Sequence, residues 1–168
     1  SIGEFRRGKK NGVGEYRWAN GTIYKGEWRN NCLSGYGIYT FSKDSKIYNG
    51  EWDNNMMNGI GELIWKNDKR KYIGYFKDDK RSGFGILCWK KDFKAFIGFW
   101  LNGKQNGIGK YMDSRKEKYG IWKNGKLIKW FKKKEEIYQY IEPEFNNFNK
   151  FFKITSGQIQ NIFLNDEI

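Results

Sequence analysis

One phrase recurs at fixed spacing through most of this chain. YKGEWRNNCLSGYG (24–37) returns as YNGEWDNNMMNGIG (48–61), YIGYFKDDKRSGFG (72–85) and FIGFWLNGKQNGIG (96–109), each starting 24 residues after the last. A partial copy, SIGEFRRGKKNGVG (1–14), opens the chain, and a degenerate half copy, KYGIWKNGK (118–126), closes the series. Fixed-period self-similarity is the signature of a repeat array and outweighs any other signal a sequence carries.

Each copy spells a β-hairpin. Tyr24, Gly26 and Trp28 alternate, which places them on one face of a strand. The pair Asn30-Asn31 follows, with equivalents Asn54-Asn55, Asp78-Asp79, Asn102-Gly103 and Asn124-Gly125. The second member is always Gly, Asn or Asp, the residues that tolerate the positive φ of a two-residue type I′ turn. A loop of just those two residues sets Gly26 opposite Gly35 and Tyr24 opposite Gly37, where the ring can lie over a glycine. The strand then continues on the same face through Tyr39 and Phe41. A lone hairpin cannot bury a core. Stacked hairpins form columns: Tyr24, Tyr48, Tyr72 and Phe96; Trp28, Trp52, Phe76 and Trp100; Trp18, Phe41, Trp65 and Trp89. The third column fails at Asp113. About eleven strands at ~4.8 Å spacing predict a rod on the order of 50 Å long.

These residues resemble the membrane occupation and recognition nexus, or MORN, repeat, whose pattern is Tyr-x-Gly-x-Trp, a short turn and then Gly-x-Gly. The match spans roughly 1–125, with departures at Phe76 (for Trp), Phe96 (for Tyr) and Lys118 (for Tyr). The resemblance implies a mainly β, single-sheet antiparallel hairpin array with a grooved surface. It also implies non-enzymatic scaffolding near membranes, the cell cortex, cilia or division structures, in some family members ahead of a lipid kinase or methyltransferase domain. The predicted organisation is an array over 1–125, about five hairpins and a degenerate capping half-repeat, followed by a partly helical segment over 126–168.

That second segment differs in character. It holds one glycine (Gly157) and seven Lys against six acids. KKKEEIYQYI (132–141) reads as a helix stopped at Glu142-Pro143, and Pro143 suits the first turn of another. Phe145, Phe148 and Phe152 fall at i, i+3 and i+7, one helical face. QIQNIFL (158–164) fits either a strand or a short helix.

Little in the sequence suggests catalysis. There is no His, so neither a triad nor an activated cysteine has its usual base. Cys32 and Cys88 lie in different repeats without metal-ligand spacing. The Gly-x-Gly pairs never extend to G-x-G-x-x-G, and the adjacent acids Asp78-Asp79 and Glu135-Glu136 fall in a turn and on a helix surface. No catalytic residue, metal or cofactor is expected, and the chain reads as a non-enzyme. Two unpaired cysteines fit a reducing, cytoplasmic setting. No apolar run approaches the ~18 residues of a membrane span. The chain opens inside a repeat and without Met, which predicts a piece of a longer protein.

Three surfaces are candidates for binding. The first is an aromatic groove on Tyr24, Trp28, Tyr48, Trp52, Tyr72, Phe76, Phe96 and Trp100, suited to a partner protein or helical peptide. The second is a basic edge. The net charge is +13, although frequent A/T-rich codons discount it. The connections between repeats hold twelve bases against five acids, including Lys66, Lys69, Arg70, Lys71, Lys90, Lys91 and Lys94. Such a ridge can sit on anionic phospholipid at about 1 kcal/mol per well-placed cation, or simply keep the edge solvated. Nucleic acid is set aside, because the array itself requires the aromatics. The third is the back face, polar in the early repeats but apolar at Ile73, Tyr75, Phe84, Ile86, Ile97, Phe99 and Ile108. The Phe145, Phe148 and Phe152 face is expected to fold over it, with a homodimer or other partner as rival. The leading expectation is an interaction scaffold; the alternatives are a peripheral membrane module and the regulatory domain of a larger enzyme.

Overall fold

The computed structural model describes residues 2–43, 45–133 and 135–136. They form one open antiparallel sheet of twelve strands, each paired with its neighbours in sequence. The strands are β1 (Ile2–Arg6), β2 (Lys9–Arg17), β3 (Ile23–Arg29), β4 (Cys32–Thr40), β5 (Lys46–Asp53) and β6 (Met56–Trp65). After them come β7 (Arg70–Lys77), β8 (Lys80–Trp89), β9 (Lys94–Leu101), β10 (Lys104–Met112), β11 (Glu117–Lys123) and β12 (Lys126–Trp130). The count exceeds expectation by one, because the degenerate last copy still closes as a hairpin. The sheet thus runs to Trp130, past the boundary set at 125. Of the partly helical segment expected over 126–168, 126–130 is strand β12, while most of the helix read over 132–141 and all of the Phe145, Phe148 and Phe152 face lie outside the described residues.

All six hairpin turns have positive φ at both central residues, as at Asn30 (49°) and Asn31 (67°). This is the type I′ geometry that Asn, Asp and Gly accommodate. The register beyond the turn departs from the simple expectation. Trp28 pairs with Leu33, but Gly26 pairs with Gly37 and Tyr24 with Tyr39. Ser34, Gly35 and Tyr36 therefore bulge opposite the single residue Glu27. Gly35 makes this possible with φ +60°, and the Tyr36 N–H donates to the Glu27 carboxylate at 3.1 Å. Glu51 does the same for the Ile60 N–H. The two members of each Gly-x-Gly thus serve different needs. The first takes a left-handed backbone at the bulge, and the second lies beneath a ring.

The bulge adds two residues rather than one, so every side chain keeps its expected face. It also brings the glycines into line. Gly3, Gly14, Gly26, Gly37, Gly50, Gly61, Gly74, Gly85, Gly98, Gly109 and Gly120 pair in one row across eleven strands. The row ends at Trp130. Tyr24 lies diagonally over Gly37, where an added Cβ would sit 2.4 Å from the ring.

Stacking is carried by rings meeting edge to face. Tyr24 touches Trp28 of its own hairpin at 5.2 Å and Trp52 of the next at 5.7 Å. Tyr48 bridges Trp52 and Phe76, Tyr72 bridges Phe76 and Trp100, and Phe96 bridges Trp100 and Trp122. Contacts of this geometry contribute ~0.5–1.5 kcal/mol beyond area burial. Every one that crosses hairpins requires the next copy.

The second turn residue also staples repeats together. The Asn55 N–H donates to the Leu33 carbonyl at 3.1 Å, and the Asn55 Oδ1 accepts from the Leu33 N–H at 2.8 Å. Asn31 makes the same exchange with Lys10, and Asp79 with Met57. Asn55→Gly keeps the turn but removes the side-chain acceptor. It should lower stability by about 0.5–1.5 kcal/mol in urea denaturation, whereas Asn55→Asp should stay near wild type. Equal loss from both would assign the effect to the turn instead.

Candidate functional site

The eight rings nominated as the partner groove form the core of the front face: Tyr24, Tyr48 and Tyr72 are 0% exposed, and Trp28, Trp52, Phe76, Phe96 and Trp100 are buried. They shape the floor of the groove. The surface available to a partner comes from the half-buried rings packed on them, Tyr16, Trp18, Tyr39, Phe41, Trp65 and Trp89. Over β2–β6 these enclose a cleft of about 660 Å³ lined by Tyr16, Trp18, Tyr39, Phe41, Lys10 and Lys46 among others.

Cations lie on the rings of this face. The Lys10 Nζ is 4.1 Å from the centre of the Tyr16 ring and 5.0 Å from that of Trp28. The Lys46 Nζ is 4.3 Å from Phe41. Arg81 occupies the position held by Leu33 and Met57 in earlier repeats. Its guanidinium lies 4.4 Å from Trp100 and 5.9 Å from Trp65, and it donates to the Gly103 carbonyl at 2.9 Å. Burial, the largest influence on it, holds the Arg81 pKa below its usual value. Pattern reading missed Lys10, Lys46 and Arg81. The visible signal was one column, Lys10, Leu33, Met57, Arg81 and Gln105, in which two members are cations opposite the Trp or Phe of their own hairpin.

The meander puts every hairpin turn on one rim and every inter-repeat connection on the other, which gathers the nominated basic edge. A second cleft of about 380 Å³ there is lined by Ile64, Trp65, Lys66, Lys69, Arg70, Lys71 and Lys90. Arg70 and Lys71 are among the cations already engaged. Arg70 pairs with Asp68 at 2.6 Å and stacks on Trp65, and Lys71 pairs with Glu62 at 2.7 Å. Lys66, Lys69 and Lys91 are exposed, while Lys94 is half-buried.

On the back face, Phe84, Ile86, Ile97, Ile108 and the half-buried Phe99 gather into one cluster. Tyr75 stays 41% exposed, and Ile73 is half-buried outside the cluster. Cys88, Ala95 and Phe131 join instead, with Met112, Tyr119 and Ile121 at the margin.

A family model for the MORN repeat matches residues 2–23, 24–46, 48–70, 72–92 and 96–114. The chain belongs to the MORN-repeat family. The five matched MORN units coincide with the hairpins read from the sequence, and the sixth hairpin, β11–β12, lies beyond them. No curated protein matches the chain. The MORN repeat is a non-catalytic module generally associated with membrane and protein-interaction scaffolds.

Proposed function

We propose that this MORN array is a non-enzymatic scaffold whose front cleft binds an acidic, partly apolar segment of a partner protein. The observation that carries this reading is that Lys10, Lys46 and Arg81 each lie over front-face rings, Lys10 and Lys46 in the lining of the cleft itself. Aromatic walls supply apolar contact area, and cations held on them meet carboxylates at little cost in side-chain ordering. A designed Glu/Leu amphipathic peptide should therefore perturb the tryptophan emission of the cleft and bind on the order of tenfold tighter than its Lys/Leu counterpart. The double change Lys10→Glu and Lys46→Glu should remove that preference. Equal affinity for both peptides, or a preference that survives the reversal, would refute the reading.

The basic rim supports a second reading, a peripheral contact with anionic phospholipid, through the cleft at Trp65, Lys66, Lys69 and Lys90. Vesicles containing phosphatidylserine should then sediment the protein at low salt. Lys66→Glu, Lys69→Glu and Lys91→Glu together should release it.

A further inference from the structure

One column of the back face changes environment along the array. Tyr36, Ile60, Phe84 and Ile108 occupy equivalent positions in successive hairpins, yet they are 52%, 48%, 7% and 5% exposed. Strand pairing does not account for the change, since the register at all four sites is the same. In the early hairpins this face carries polar side chains and ion pairs such as Lys25 with Glu15. Around β8–β10 it holds the buried apolar cluster that includes Cys88, Ala95 and Ile97. A single-layer sheet has no second layer of its own to cover such a face. Phe131, just past β12, joins the cluster, and its N–H donates to the Tyr119 carbonyl at 2.8 Å. The chain therefore leaves the sheet on this side.

The sequence C-terminal to Phe131 suits the face in composition and length. Residues 137–168 include Phe145, Phe148, Phe151, Phe152 and Ile154, and two Lys stand against four acids in a chain of net charge +13. Crossing from β12 to β8 is four strand spacings of ~4.8 Å, which a handful of extended residues span. We propose that residues 137–168 of this same chain dock over the back of β8–β10, their phenylalanines meeting Phe84, Ile97 and Ile108. The segment is then a second layer that closes the back and leaves the front cleft as the array's binding surface.

Cys88 reports on this directly. It is 1% exposed inside the cluster, and burial pushes its thiol up to about 11. With Cys32→Ser as background, Cys88 in the full chain should alkylate on the order of tenfold or more slowly than in denaturant, at a rate independent of protein concentration. Adding Phe145→Asp, Phe148→Asp and Phe152→Asp should restore fast labelling while the circular dichroism of the sheet stays unchanged. Protection that grows with protein concentration would assign the face to a second copy and overturn the proposal. Protection untouched by the three substitutions would overturn it too. If the triple variant loses the sheet signal, a full chain with photoreactive benzoylphenylalanine in place of Phe148 decides. Adducts on β8–β10 of the same chain support docking, whereas adducts between chains, on the front face, or none at all refute it.

Discussion

Gly61→Val is expected to lower the melting temperature by roughly 10 °C, the upper end of what ~1–3 kcal/mol of overpacking does to a chain of this size. The position has no room on any side. A Cβ on Gly61 would lie 2.4 Å from the Tyr48 hydroxyl and 2.5 Å from its ring, and a Cβ on the paired Gly50 would lie 2.5 Å from the Gly61 Cα. Relief requires moving Tyr48, which is wedged between Trp52 and Phe76, so the strain reaches two hairpins. Lys77→Ala, on an exposed strand residue, serves as the control and should melt within about 1 °C of wild type. Gly59→Ala should also destabilise, for a different reason: its φ of +97° is a conformation that L side chains rarely adopt. A Gly61→Val protein that melts with the Lys77 control would remove the glycine row from any account of the fold.

Alkaline pH should unfold the array well before an ordinary surface-tyrosine protein. Tyr24, Tyr48 and Tyr72 are fully buried. Their hydroxyls donate to the carbonyls of Glu27, Glu51 and Tyr75 at 2.9, 2.8 and 3.0 Å. Burial is the main cause that raises all three phenol pKa values far above the usual range, with Glu27 and Glu51 adding to it at Tyr24 and Tyr48. The folded state therefore holds these protons more tightly than the unfolded chain does. Their contribution is complete below the unfolded phenol pKa of ~10 and is lost as pH rises beyond it. Urea midpoints at pH 9, 10 and 11 should fall steeply over the last interval. Lysines begin to titrate there as well, so Tyr72→Phe is the discriminating variant. It should flatten the profile, and Phe96 already shows that a ring without a hydroxyl fits this column. Identical slopes for the variant and wild type would shift the cause to the lysines.

The faces of the sheet were legible in the sequence because alternation and a 24-residue period both had to be satisfied, and only one hairpin orientation satisfies them. The register was not. A two-residue turn implies Gly26 opposite Gly35, whereas the pair is Gly26 with Gly37. The bulge was written in Gly35, a glycine inside a strand beside a glutamate that can hold the loose N–H, but a repeated Gly-x-Gly reads equally well as clearance for rings. Because two residues are inserted, the error left the column assignments intact. The groove was legible in outline only: the sequence marks which rings share a face but not which are buried by their neighbours. Hence the nominated eight became the floor and the cations above them went unnoticed. The sequence marks Asn55 as a turn former, whereas its second task, the exchange with Leu33, is a contact with another hairpin that local turn chemistry does not reveal.

The turn staples have an uneven distribution along the array. Asn31, Asn55 and Asp79 each accept a hydrogen bond from the preceding hairpin through a side chain, but the fifth and sixth turns carry Gly103 and Gly125, which keep only the backbone half of the exchange. The buried back-face cluster begins at β8, where the paired turn staples give way to single side-chain bonds, from Arg81 to the Gly103 carbonyl and from the Asn124 N–H to the Asn106 Oδ1. The two ends of the sheet are thus cemented by different physics, polar stitches toward the start and an apolar sole toward the finish. Urea, which solvates peptide and apolar groups alike, has no reason to pick one end, but high salt or sulfate strengthens the sole more than the stitches. Hydrogen exchange should therefore show protection of β8–β12 rising with sulfate while that of β2–β6 changes less, so that solvent composition decides from which end the array unzips.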